Sequence, residues 1–205
     1  MGGSGSGLSA GDFWGGLSNF LNLAVEALKI VANALVELCK LFGLIEEKED
    51  PEKLGDKMIQ AEDAGIYRDD FSTDREYYEA IKNFDVDPEK SKQISQQDKL
   101  AHGSDLMANM INEKVPDFPL ESAFTMFTHN EKYFTAEAGR AEEVIKISET
   151  DPEIFARIDD FMSGKEKDAD VIEETLGTLV EIEKSINPDK AEDEIQNMLL
   201  DNVQK

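Results

Sequence analysis

Cysteine is almost missing from this chain: Cys39 is the only one in 205 residues. No internal disulfide can form, and neither a CxxC redox motif nor a cysteine-based metal site can be assembled. Histidine is nearly as scarce, with His102 and His129 alone. Neither has a second histidine or a cysteine at ligand spacing, and no HExxH or ExxH pair occurs. The sequence therefore expects no metal, and both histidines read as exposed or helix-end side chains. Positive charge is the third shortage. Against 45 Asp and Glu there are 21 Lys and Arg, a net of -24, which repels phosphate backbones and anionic lipid surfaces. Nucleic acid is excluded as a partner on this ground, and so is membrane binding by charge alone.

Catalytic signatures are absent too. Ser104 follows His102-Gly103, but no G-x-S-x-G elbow exists. Asp85 and Asp87 are followed by Pro88, which is incompatible with a Ca²⁺ loop needing Gly at position six and Glu at twelve. Asp69-Asp70 and Asp159-Asp160 read as solvated helix or loop charges. No phosphate-cradling glycine loop is found, so neither an enzyme nor a cofactor is expected. The N-terminus lacks the Lys/Arg of a secretory leader; the chain is expected to lack a signal peptide and to be made in the cytoplasm.

What is present divides the chain. Residues 1–45 carry a net charge of only -1, which leaves -23 for residues 46–205. Three segments follow: a Gly/Ser-rich arm with an aromatic lead-in at 1–16, an apolar helix at 17–45, and an acidic helical body at 46–205. "MGGSGSG" reads as an added linker or a natural flexible arm, although Gly2 with Ser6 formally fits a myristoylation pattern. Phe13 and Trp14 then stand between glycines, as anchors for a membrane interface or a protein contact.

From Leu17 to Ile45 there is no Pro and one Gly, Gly43, so one long helix is expected. At about 100° per residue, Asn19, Asn22, Glu26, Lys29, Asn33, Glu37 and Lys40 fall within an arc of roughly 80°. The remaining ~280° is apolar, whereas a surface helix needs little more than ~100°. Glu26 with Lys29 and Glu37 with Lys40 are spaced to pair along the stripe. A solitary bilayer span is unfavourable: four charges cost about 10 to 14 kcal/mol, and the large apolar residues return about 4 to 8. Copies that associate with their stripes together avoid that cost. The apolar face, with Phe20, Leu28, Leu35 and Phe42 as its anchors beside Phe13 and Trp14, is thus read as an assembly surface.

The body looks all-α, since no stretch alternates with a period of two. Asp50-Pro51-Glu52, Asp87-Pro88-Glu89, Asp151-Pro152-Glu153 and Asn187-Pro188-Asp189 mark helix starts with a capping side chain, a first-turn Pro and an acid. Further helices are expected after Thr73, where Glu76 completes a capping box, after Pro119, after Thr135, and over Asp168–Ile186. "VPDFPLESAFTMF" at 115–127 reads as a bend between halves, and 164–170 as an exposed loop.

The resulting expectation is an all-α, non-enzymatic, self-assembling protein. Its N-terminal helix would drive homo-oligomerisation and membrane insertion or pore formation, as in a virion-internal phage component or similar particle component that reaches a target membrane. The alternative is a soluble structural or adaptor protein, with the same helix packed in a homo-oligomer or docked on a partner protein.

Overall fold

The structure is a computed structural model that describes residues 17–46, 49–137 and 139–203; the arm, Phe13 and Trp14 lie outside them. The described residues form twelve α-helices and one 3-10 turn, with no strand. The chain divides into two compact units, residues 1–121 and 122–205. The division falls inside the proline- and phenylalanine-rich segment 115–127.

Unit 1 holds α1 (Leu17–Leu21), α2 (Val25–Leu41), α3 (Pro51–Asp63), α4 (Asp74–Ile81), α5 (Pro88–Ser91) and α6 (Gln96–Lys114). Its hub is α6, which packs against α1, α2, α3 and α4. No helix is expected here from the sequence, although Ser95 caps its first turn by accepting from the Asp98 amide at 3.0 Å. Two glycines explain how α6 meets α3. A Cβ at Gly55 would lie 1.7 Å from the Lys99 carbonyl oxygen, and one at Gly103 would lie 2.0 Å from that of Pro51. The helices cross backbone to backbone there, a distance only glycine allows.

The single helix expected over 17–45 is interrupted. Ala24 is extended, at φ -61° and ψ 148°, although neither Gly nor Pro lies near it. The cause is tertiary: Gln97 of α6 donates its amide hydrogens to the carbonyls of Leu21, at 2.7 Å, and Leu23, at 3.0 Å. Carbonyls freed by the break are thereby satisfied. At the other end the helix stops by local means. Gly43 takes a left-handed φ of 66°, and the amides of Gly43 and Leu44 return to the carbonyls of Lys40 and Cys39 at 3.0 and 2.7 Å, a Schellman closure.

Unit 2 holds α7 (Leu120–His129), α8 (Glu131–Ala136), α9 (Arg140–Ser148), α10 (Ile154–Met162), α11 (Ala169–Ile186) and α12 (Glu192–Asn202), of which Leu120 and Glu121 belong to unit 1. Here α11 packs against α9, α10 and α12. Phe127 joins Phe134 and Phe155 in a ring cluster, with centroids 4.8 and 6.2 Å from its own.

The capping signals divide by what competes for the cap. Asp50 and Asp87 each accept from two first-turn amides, Asp168 does the same for α11, and Thr73 accepts from Glu76. Asp151 does not cap: its carboxylate pairs with Arg157, and α10 begins only at Ile154. Asn187 ends α11, and α12 starts at Glu192. Thr135 lies within α8, and the next helix starts at Arg140.

Candidate functional site

The face read from sequence as an assembly surface lies in unit 1, and its two sides have different environments. Asn22, Glu26 and Asn33 are exposed, while Asn19, Lys29, Glu37 and Lys40 are half-buried. Glu26 pairs with Lys29 at 3.2 Å and Glu37 with Lys40 at 2.7 Å. Both pairs are partly exposed and contribute only a few tenths of a kcal/mol each. On the opposite side Leu28, Val31, Ala32, Ala34, Leu35, Leu38 and Cys39 are at 0% exposure. Phe20 is also buried, and Phe42 packs edge-on against Phe118 with centroids 5.3 Å apart. Four of the six anchors therefore lie against their own unit. Cys39 donates its thiol to the Met107 carbonyl at 3.7 Å, and burial pushes its pKa well up, so it is an inert core residue. Among the described residues no helix is long and apolar enough to cross a membrane.

One carboxyl in unit 1 is strongly perturbed. Asp74 accepts both donors of the Arg68 fork, and its own amide donates to both Glu113 oxygens at 3.0 Å. Asp105 faces this group without a share in it; its Oδ1 is buried with no hydrogen-bond partner. Burial first, and then the charge of Asp74, push the Asp105 pKa up to about 7, with Arg68 opposing. The folded state thus keeps a proton that the unfolded chain releases near pH 4. Stability from this group is present at acid pH and is lost as pH rises through about 4 to 7, by at most about 4 kcal/mol. Asp105→Asn is expected to abolish that dependence. Urea unfolding at pH 4.5 and pH 8 checks it: the wild type should fall relative to the variant, and parallel behaviour would refute the buried-acid assignment.

Unit 2 brings together groups that sequence spacing could not pair. His129 ends α7, and its Nδ1 lies 3.1 and 3.3 Å from the two carboxylate oxygens of Asp159 on α10. Asp159 is buried rather than solvated, and Asn130 also donates to it at 3.2 Å. Because 30 residues separate His129 from Asp159, only the packing of α7 on α10 creates the pair. His129 borders a cleft of about 410 Å³ with Asn130, Lys132, Met162 and Asn202. Among the described residues that border it, the Thr128 hydroxyl donates to the Phe124 carbonyl at 2.8 Å and the Tyr133 hydroxyl to Glu183 at 2.8 Å. Among the described residues no cluster of three His, Cys, Asp or Glu side chains is placed to hold a metal.

A second cluster is sealed inside unit 2. Arg140 Nη2 donates to Glu183 at 3.0 Å, Nη1 donates to the Tyr133 carbonyl at 2.6 Å, and the Tyr133 hydroxyl donates to Glu183 at 2.8 Å. Arg140 Nε lies 2.5 Å from Glu183 Oε1, a charge contact out of line for a hydrogen bond. The guanidinium also stacks 4.3 Å from the centre of the Tyr133 ring. Glu183 is fully buried, and burial beside its carboxylate raises the Tyr133 pKa strongly, so the phenol stays a donor. Such a buried, mutually bonded cluster holds a fold together. Comparison with protein-family models, with curated proteins and with solved structures finds no match for this chain.

Proposed function

We propose that this protein is a non-enzymatic structural or adaptor protein, an acidic all-helical component that assembles with protein and not with lipid. The observation that supports this reading is the environment of α2. Its apolar face is already packed in protein, and its charged stripe faces water in self-neutralising pairs. Offering that face to a bilayer would first expose ten buried side chains, each worth about 1.5–3 kcal/mol for the larger ones. For the six larger ones that gross cost, about 9–18 kcal/mol, is comparable to the whole 5–15 kcal/mol that typically holds a domain, and the four stripe charges would still have to enter the membrane.

Phe20, Leu28, Leu35 and Phe42 are engaged inside unit 1, and Phe13 and Trp14, outside the described residues, are the anchors this reading assigns to a second copy or a partner protein. An aromatic pair of this kind suits docking into a partner groove, as expected of a component of a larger protein particle. Mass photometry of the full chain with and without lipid vesicles tests this directly. The expected result is a protein that leaves vesicles intact, and whose self-association is lost in Phe13→Ala/Trp14→Ala with helicity unchanged. Dye release from vesicles by the full chain would overturn the reading in favour of a membrane-active protein.

A further inference from the structure

The methionines of this chain sort sharply by burial. Met58, Met107, Met110, Met126 and Met162 are at most 5% exposed. Among the described methionines Met198, on α12, is the one that is half-buried rather than buried. Its sulfur also receives two cationic donors, Arg140 Nη2 at 3.6 Å and Lys190 Nζ at 3.5 Å. A thioether is a weak acceptor, so two full positive charges converge on an atom that offers them little.

We propose that Met198 is a redox modification site: a peroxide converts it to the sulfoxide, and Arg140 and Lys190 receive the new oxygen, so that oxidation fastens α12 instead of loosening it. In the step, a sulfur lone pair attacks one peroxide oxygen, and the O–O bond breaks as the S–O bond forms. Sulfur is oxidised by two electrons and the peroxide is reduced. The proton on the new S–OH passes through solvent to the departing hydroxide, giving one sulfoxide and one water.

The reason oxidation does not disrupt this site is the set of donors already in place. A sulfoxide in an apolar core is an unsatisfied polar group and breaks packing. Here the oxygen meets ionised donors, whose hydrogen bonds are about twice as strong as neutral ones. Arg140 belongs to α9, Lys190 to the turn after α11, and Met198 to α12. One oxygen therefore links three parts of unit 2. Arg140 is held by Glu183 and the Tyr133 carbonyl, so it is the fixed donor; the lysine stem supplies the adjustment.

Limited treatment of the full chain with hydrogen peroxide, followed by peptide mass mapping, is expected to oxidise Met198 about tenfold or more faster than the five buried methionines. Hydrogen exchange over residues 192–202 is expected to slow by about threefold in the oxidised protein, and a methionine sulfoxide reductase should reverse it. Lys190→Ala should keep the selectivity and lose most of the slowing, and Met198→Leu should make α12 indifferent to peroxide. Oxidation of Met198 no faster than the buried methionines would overturn the proposal. So would faster exchange after oxidation, or undiminished slowing in Lys190→Ala.

Discussion

Gly103→Ala is expected to unfold unit 1. Its new Cβ would stand 2.0 Å from the Pro51 carbonyl oxygen, and the matching change Gly55→Ala would place one 1.7 Å from the Lys99 carbonyl oxygen. Both obstructing atoms are backbone, so no side chain can rotate away and the helices must separate. Overpacking within a core typically costs about 1–3 kcal/mol. Forcing apart α3 and the hub helix α6 should exceed that, at about 4 kcal/mol or more, a large share of a domain's whole stability. Gly177→Ala is the control. Gly177 is also helical, yet a Cβ there meets nothing within 4 Å, so helix propensity should make that variant about 0.5–1 kcal/mol more stable. Urea titrations followed by circular dichroism distinguish the two; a Gly103→Ala midpoint equal to wild type would show that α3 and α6 do not cross at this distance.

Glu183→Ala is expected to destabilise unit 2 by about 3–5 kcal/mol, because it leaves the Arg140 guanidinium buried without its counter-charge. The Tyr133 hydroxyl loses its acceptor in the same change. Glu183→Gln should fall between, keeping an acceptor oxygen and losing the charge. The informative variant is the double replacement Arg140→Met/Glu183→Leu. Removing both charges removes the desolvation penalty along with the attraction, so it should recover most of what the single change loses. If the double variant loses the sum of what Arg140→Met and Glu183→Leu each lose alone, the pair is not energetically coupled and the cluster does not hold unit 2 in the way its geometry indicates.

The same sequence positions show where local chemistry sufficed and where it did not. Asp50, Thr73, Asp87 and Asp168 cap helices as their neighbours in sequence imply, because a cap needs only amides two or three residues away. Asp151 fails for an equally physical reason: Arg157, one and a half turns on, competes for its carboxylate. Sequence could have placed His129 near a helix end, but nothing in it points to Asp159.

By itself the sequence determined that this protein is helical, that it carries a large acidic excess, and that the segment Leu17–Ile45 has an apolar face far too wide for a solvent-exposed helix. These are properties of periodicity and composition, which depend on neighbours a few residues apart. Only the tertiary structure decided what covers that face, where the helix breaks, and which charges are sealed inside. The α2 face finds α6, whose Gly103 obscures its helical pattern in sequence; Gln97 interrupts the chain at Ala24 from 73 residues away in sequence; and Glu183 reaches Arg140 across 43. A wide apolar face carries no record of whether lipid, another copy or its own chain will cover it, because hydrophobic burial is non-directional.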